Sequence, residues 1–409
     1  MSRHLQCLRK SSLALLAIFL AGAACCSSRG QQAEPRRSNS ATAPSFSSHW
    51  SFTGKQLLTI HGDAACLWDI DSGIQIRRFQ SQGAFVAAVA LSPDGKYVVT
   101  ATARRTGLFT WGDSVRLWEV STGREVRQFG EQWEGAQELG AKRPGEAAYA
   151  LLFSPDGKRI LTATESVTIW DVKTGRRLFV FPDLHQCTFG SPATLSVNFS
   201  PDSKRLVQLA NGGSRVIVWN LVQGRQVCVM GEGIFSCTVS FSPDGKTVLT
   251  ASHEPGLPGT ARTWDARTGR LLRVVAGHTG RVFQALYTGD GRKILTASRD
   301  GFAKLWDAST GQELRRFQNG GPGPIDRVSL SRDGKRFISK WSLQRSDEST
   351  IMPIATLWDT ESGREIAQLT NHVEGIVGFA PGDERFMVVK DGSPVALMDG
   401  ATGKVIRRY

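Results

Sequence analysis

The 409-residue chain is predicted to be all-β, made of eight four-stranded antiparallel sheets packed face to face in one closed ring. Three observations carry that prediction. A tryptophan-centred phrase recurs along the chain, a second phrase built on Ser-Pro-Asp-Gly recurs between its copies, and the segments between are short runs that alternate apolar with small or polar residues.

The first phrase reads CLWDIDSG, RLWEVSTG, TIWDVKTG, IVWNLVQG, RTWDARTG, KLWDASTG, TLWDTESG and ALMDGATG. Its anchors are Trp68, Trp118, Trp170, Trp219, Trp264, Trp306, Trp358 and, in the last copy, Met398, at intervals of 40 to 52 residues. The second phrase is SPDGK at residues 92, 154 and 242, SPDSK at 200 and SRDGK at 331, with looser forms at 288–293 and 381–385. Two turn marks in each unit imply two hairpins, hence four strands, A to D. Runs such as VAAVALS, YVVTAT, VTIWDV and REVRQF have the length and alternation of those strands. Asp-Gly and the glycine of the Thr-Gly pairs supply the positive φ of tight antiparallel turns. One such sheet buries too little to stand alone, so the units pack on one another until the series closes. Eight units fill residues 46–409, each from one continuous segment, with the first and last meeting by packing alone. A ring of seven units with one sheet shared by both chain ends is the runner-up.

These residues resemble the WD-repeat β-propeller family over residues 46–409. The resemblance implies a buried tetrad in each blade: a His near the D-to-A loop, a Ser or Thr on strand B, an Asp in the B-to-C turn and the Trp of strand C. One unit carries the whole set, as His278, Ser298, Asp300 and Trp306. Elsewhere Glu165 or Asp113 stands in for the turn Asp, and the last unit keeps His372 and Asp391 beside Met398. Blades without the set are expected to rely on apolar packing. The resemblance also implies a non-enzymatic platform that binds a protein or peptide.

Ahead of the repeats, Arg3, Arg9 and Lys10 precede an apolar run at 13–24 that ends in small residues, the order of a secretory signal. Residues 1–24 are read as that signal and 25–45 as a flexible tether rich in Ser, Gln, Ala and Arg. Cys25 directly after Gly22-Ala23-Ala24 resembles the lipidated cysteine of bacterial lipoproteins, and ordinary cleavage near Ala23 or Ala24 is the alternative. The expected location is therefore the periplasm or cell envelope, with membrane contact only through a lipid on Cys25. Loss of the signal removes three positive charges, so the formal +13 falls to +10.

With 40% hydrophobic and 21% charged residues, global disorder is excluded. The run at 13–24 is shorter than the roughly 20 residues of a spanning helix, which excludes a multi-pass membrane protein. Seven cysteines are too few for a disulfide scaffold and sit at no metal-like spacing. The seven histidines are either dispersed or accounted for by the tetrad, and no G-x-S-x-G, H-E-x-x-H or Walker loop occurs. No catalytic residue, metal site, cofactor or small-molecule substrate is expected. Asp94, Asp156 and Asp244 recur at one hairpin position and read as turn formers. Arginines such as Arg77, Arg78, Arg127, Arg273, Arg315, Arg316, Arg407 and Arg408 fall on the D strands, where they read as a fringe that protects exposed sheet edges. That fringe accounts for the basic charge without a nucleic-acid partner.

The remaining asymmetry lies in the loops. A-to-B and C-to-D turns are short, whereas D-to-A and B-to-C connections carry insertions at 103–114, 130–146, 182–193, 252–260, 319–324 and 341–354. All six fall on one face of the predicted ring, and they carry Phe109, Trp111, Trp133 and Trp341. Large aromatic anchors dominate interface energetics, so these four are the expected partner-binding residues. Capping of their own loops is the alternative role. A propeller enzyme or small-ligand binder, with its site at the mouth of the central channel, is the alternative function.

Overall fold

The computed structural model describes residues 50–409 except 82–83, 107–108, 130–149, 164–165, 182–196, 211–212, 232–234, 254–256, 319–322, 345–350, 370–372, 381, 383 and 391–394. These belong to one compact unit, Ser45–Tyr409. Thirty-two strands run from β1 (Trp50–Thr53) to β32 (Val405–Arg408), and every four consecutive strands form one antiparallel sheet in chain order. The result is an eight-bladed β-propeller in which no blade is shared between distant segments. The seven-blade alternative is not adopted.

Burial follows each strand's place in its blade. B strands, covered by a neighbouring blade on either side, read as nearly continuous buried runs, as in Leu206 to Ala210 or Ile294 to Ser298. D strands are half-exposed and alternate, as in β12 (Arg177–Phe181). Eight apolar clusters hold the ring, each joining two successive blades. One of them joins the last blade to the first: Leu57 and Ile70 pack with Met387, Leu397 and Tyr409. There Tyr409 donates its hydroxyl to the Ile70 carbonyl (2.6 Å), and Arg385 pairs with Asp71 (2.8 Å). Closure is therefore non-covalent and made without a shared sheet.

The recurrent phrases act as turns. In the A-to-B hairpins of blades two to seven a Ser or Thr hydroxyl donates to an Asp two residues on, as Ser92 to Asp94 (2.7 Å), Ser154 to Asp156 (2.6 Å) and Ser242 to Asp244 (2.6 Å), and that carboxylate also accepts the backbone N–H two residues further. In the SPDSK copy Ser203 occupies the glycine position at φ 59°. Left-handed backbone costs a non-glycine residue about 1 kcal/mol. Two bonds to the preceding blade offset it: Ser203 Oγ accepts the Asp156 N–H (3.0 Å), and the Ser203 carbonyl accepts Arg159 (2.9 Å).

The arginine fringe needs correction. Four of its members reach across to the C-to-D turn of the next blade: Arg77 donates to Ser121 O (2.7 Å), Arg127 to Thr174 O and Lys173 O (3.0 and 2.9 Å), Arg273 to Thr310 O (2.9 Å) and Arg315 to Ser362 O (3.1 Å). Arg407 lies the same way over Gly73 at the ring closure. Each arginine stem occupies the space a Cβ would need at the turn glycine beneath it, at Gly73, Gly123, Gly175, Gly311 and Gly363. These five clamp blade to blade, while Arg78, Arg316 and Arg408 remain at the exposed rim.

Candidate functional site

The two faces of the ring differ as the loop lengths implied, but two of the expected insertions are ordered hairpins. Strands β6 (Tyr97–Thr106) and β7 (Phe109–Glu119) continue their ladder through Arg104↔Trp111 and Thr106↔Phe109. Strands β26 (Arg336–Gln344) and β27 (Ile351–Asp359) do so through Ser342↔Pro353 and Gln344↔Ile351. The β-branched and aromatic residues in these stretches favour extension over a coiled loop. Blades two and seven thus raise long B-to-C hairpins on the variable face. On the opposite face, each C-to-D turn is closed by its acid or amide, as where Asp307 Oδ1 accepts the N–H of Thr310 (2.7 Å).

The expected aromatic anchors separate. Phe109 and Trp111 stand two positions apart on β7, in the raised hairpin of blade two. Trp133 lies outside the described residues. Trp341 is a correction: it is only 2% exposed and packs with Ile325, Phe337 and Trp358 in the core between blades six and seven. Its indole N–H donates to Thr356 Oγ1 (3.3 Å). Phe337, Ser339 and Trp341 recur in phase on β26, so the strand that buries the first two buries the third.

The tetrad of blade six also needs one substitution. His278 Nδ1 donates to Asp300 Oδ2 (2.8 Å), but the hydroxyl between His278 Nε2 (2.7 Å) and Trp306 Nε1 (2.8 Å) belongs to Thr296. Ser298 sits to one side, donating to Gly280 O (3.1 Å) and accepting the Asp300 N–H (3.2 Å). The reason is register. Trp306 lies opposite Ile294, and the side chain in phase beside it is two residues on, at Thr296. Burial alone raises the Asp300 carboxyl, but hydrogen bonds from His278, Phe302 and Thr279 outweigh it and hold the group at about 2.

The same register rule holds around the ring. Each anchor indole donates to the strand-B residue two beyond its cross-strand partner: Trp68 to Thr59, Trp118 to Thr100, Trp170 to Thr162, Trp219 to Gln208, Trp264 to Thr250 and Trp358 to Ser339, all at 2.9 to 3.1 Å. In the last blade the anchor is Met398 and the same position is Val388, so both members are apolar and buried. Blade one adds an imidazole from another direction. His61, on strand B itself, bonds Thr59 Oγ1 (3.0 Å) and meets Trp68 edge to face. Glu165, His372 and Asp391 lie outside the described residues.

Sequence reading missed one polar group on the inner strands. In β25 (Ile325–Leu330), Asp326 is the extra residue of a bulge, with Lys340 Nζ 3.8 Å from its carboxylate. Burial pushes the Asp326 carboxyl up and brings the adjacent Arg327 down to about 10. Among the described residues, no three His, Cys, Asp or Glu side chains converge as a metal site would require. Cys66 and Cys228 are free and buried, and burial raises both thiols, Cys228 to about 11, away from the reactive thiolate.

Comparison with known proteins agrees with the repeat and the fold. The family model described as "WD domain, G-beta repeat" matches residues 73–119 and 269–307. Similar proteins include Autophagy-related protein 16 of Arabidopsis thaliana, 28% identical over 46% of this chain and 33% of that protein. A guanine nucleotide-binding protein subunit beta of the same plant is 27% identical over 52% of this chain and 58% of its own length. The chain thus spans between a third and three-fifths of these two relatives. Among solved structures, the C-terminal WD40 domain of Sif2 superposes with a TM-score of 0.65 at 16% identity, covering 86% of this chain and 95% of that domain. The segments 73–119 and 269–307 match the WD-repeat model, and the chain is an eight-bladed β-propeller similar in fold to a WD40 domain.

Proposed function

We propose that this protein is a non-enzymatic platform that binds a protein or peptide through the face carrying the B-to-C and D-to-A connections. The observation that carries this reading is the contrast between faces. One is closed by eight stereotyped C-to-D turns, and the other raises the hairpins β6–β7 and β26–β27 with Phe109 and Trp111 on the first of them. A rigid ring that varies its loops on one side is the arrangement of a binding scaffold. The likeness to a protein named as a subunit, and so a member of an assembly, supports the same reading. The secretory pattern of residues 1–24 and the cysteine that follows it at 25 support a lipid-anchored platform at the bacterial envelope.

Crosslinked co-purification from envelope fractions identifies the partner. Trp111→Ala and Trp133→Ala are then expected to weaken capture by at least about tenfold each, while Lys96→Ala and Lys246→Ala on the opposite face leave it unchanged. The reverse pattern would move the site to the other face. Incorporation of labelled palmitate, abolished by Cys25→Ala, tests the anchor.

A further inference from the structure

Like charges set directly opposite each other on a ladder destabilise it. Two opposed basic pairs in this ring carry an acid beside them. Lys304 stands opposite Arg316, and Glu313 pairs with both (2.8 and 2.9 Å). Arg327 stands opposite Lys340, with the Asp326 carboxylate 3.8 Å from Lys340. A third pair tops blade six on the variable face. Val282 and Ser298 are ladder partners, and one step further out the Arg299 N–H donates to the Arg281 carbonyl (2.8 Å), which sets the two arginines opposite each other. The acid of that turn, Asp300, is turned elsewhere: it accepts from His278 Nδ1 (2.8 Å) and from the N–H groups of Thr279 and Phe302 (3.0 Å each). Arg281 is half-buried, with its guanidinium over the Phe283 ring (5.5 Å). Arg299 is exposed, and its side chain makes no hydrogen bond or ion pair among the described residues.

The backbone beneath the pair is fixed. Gly280 O accepts from Ser298 Oγ (3.1 Å) and from the Gly259 N–H (3.1 Å), and a Cβ at Gly259 or Gly280 would strike the backbone of Val282 or Asp300. Arg299 is in phase with Leu295 and Ala297, which pack against blade seven in the cluster that holds Trp341. Past Trp341 the raised hairpin of blade seven continues its ladder as Leu343↔Met352. Blade six is therefore a low cationic step at the foot of an apolar hairpin. We propose that this step seats an acidic segment of the protein partner, extended across the top of blade six, with a Glu or Asp carboxylate between Arg281 and Arg299 as Glu313 stands between Lys304 and Arg316. The inference rests on the variable face being the docking face, and it gives the partner its chemistry. Charge and the hairpin together select that occupant. An extended peptide brings a carboxylate to two guanidiniums while its apolar neighbours lie along the hairpin, whereas a phosphate polymer has no apolar side chain to place there.

Fluorescence anisotropy on the full chain, in mild detergent to suppress contacts of the apolar run at 13–24, tests this with a fluorescein-labelled peptide of alternating Glu and Leu and its Gln and Leu counterpart. The wild-type protein is expected to bind the Glu peptide, to release it as salt is added, and to hold the Gln peptide at least about tenfold more weakly. Arg299→Gln weakens the Glu peptide by at least about tenfold and melts no lower than wild type, because it relieves the opposed charges. Arg299→Lys, which keeps the charge and loses the planar fork, falls between the two. Arg364→Gln, at an exposed arginine of a C-to-D turn, changes nothing. Equal binding of the two peptides, equal loss of the Glu peptide in Arg364→Gln and Arg299→Gln, or a lower melting temperature for Arg299→Gln overturns the proposal. Partner capture separates its failure from that of the reading beneath it. Capture that needs Trp111 but neither Arg281 nor Arg299 removes the acidic segment and leaves the platform, whereas capture lost only through Lys96 or Lys246 removes both.

Discussion

Replacing Thr296 by Val removes one oxygen and keeps the shape of the side chain, which isolates the polar link in blade six. Two groups lose their partner: the Trp306 indole N–H, 2% exposed, and His278 Nε2, on a residue 3% exposed. Each buried polar group left unsatisfied costs about 1–3 kcal/mol, and the two share one oxygen, so the expected loss is about 2–5 kcal/mol. Thr296→Ser keeps the hydroxyl and loses one buried methyl, worth about 1 kcal/mol. Ser298→Ala removes one donated and one accepted bond at the margin of the network and is expected to cost about 1 kcal/mol. Urea unfolding followed by tryptophan fluorescence ranks the three by midpoint, with the slope checked for constancy. The expected order of damage is Thr296→Val, then the other two together. If Thr296→Val proves no worse than Thr296→Ser, the hydroxyl is not the link. If Ser298→Ala is the most damaging, the assignment to Thr296 is wrong.

Three other outcomes are expected. Asp300 titrates at about 2, below its unfolded value, so its contribution of about 2 kcal/mol is complete above pH 4 and is lost as pH falls toward 2; Asp300→Asn should flatten that part of the stability-against-pH curve, and an unchanged curve refutes the link. Tyr409→Phe removes the buried bond to Ile70 O and should cost about 1–2 kcal/mol, with hydrogen exchange accelerating in blades one and eight before the rest; uniform acceleration would mean that closure is not a local weak point. In the last blade, Met398→Trp alone should destabilise by burying an indole N–H against Val388, and adding Val388→Thr should restore at least about 1 kcal/mol; additivity of the two changes would refute the register rule.

The blade count was legible because the turn chemistry repeats: an acid or amide that caps its own turn and a residue of positive φ, nearly always glycine, mark most A-to-B and C-to-D hairpins, whatever the strands between them carry. The polar tetrad was legible in kind and wrong by one residue pair. Thr296 and Ser298 both lie on one strand, in phase and two apart, so composition does not separate them, and only the pairing of Ile294 with Trp306 does. Trp341 misled for a related reason. Its place in a long connection suggested a loop, yet the alternation of Phe337, Ser339 and Trp341 already had the phase of a buried strand. The clamping arginines were located in the D strands, but their direction depends on the neighbouring blade, whose turn glycine leaves room for the stem. No local pattern in one strand reports what the next blade places beside it.

The division of labour between the two faces follows from how the ring is held. Apolar clusters fill all eight junctions, and the indole-to-strand-B bond recurs in the seven blades with a tryptophan anchor, whereas among the described residues the His–Asp pair occurs only in blade six. Rim stability therefore falls to the C-to-D turns, whose carbonyls accept the arginines of the preceding blade at four junctions, with a fifth arginine seated over Gly73. Those turns cannot lengthen without losing an acceptor or filling the space beneath a stem. It is on the opposite connections that β6–β7 and β26–β27 have grown into long hairpins. A ring stabilised through one face leaves the other free to vary, which supports the proposal that a partner binds at the hairpin of Phe109 and Trp111 and not at the more numerous arginines of the clamped rim.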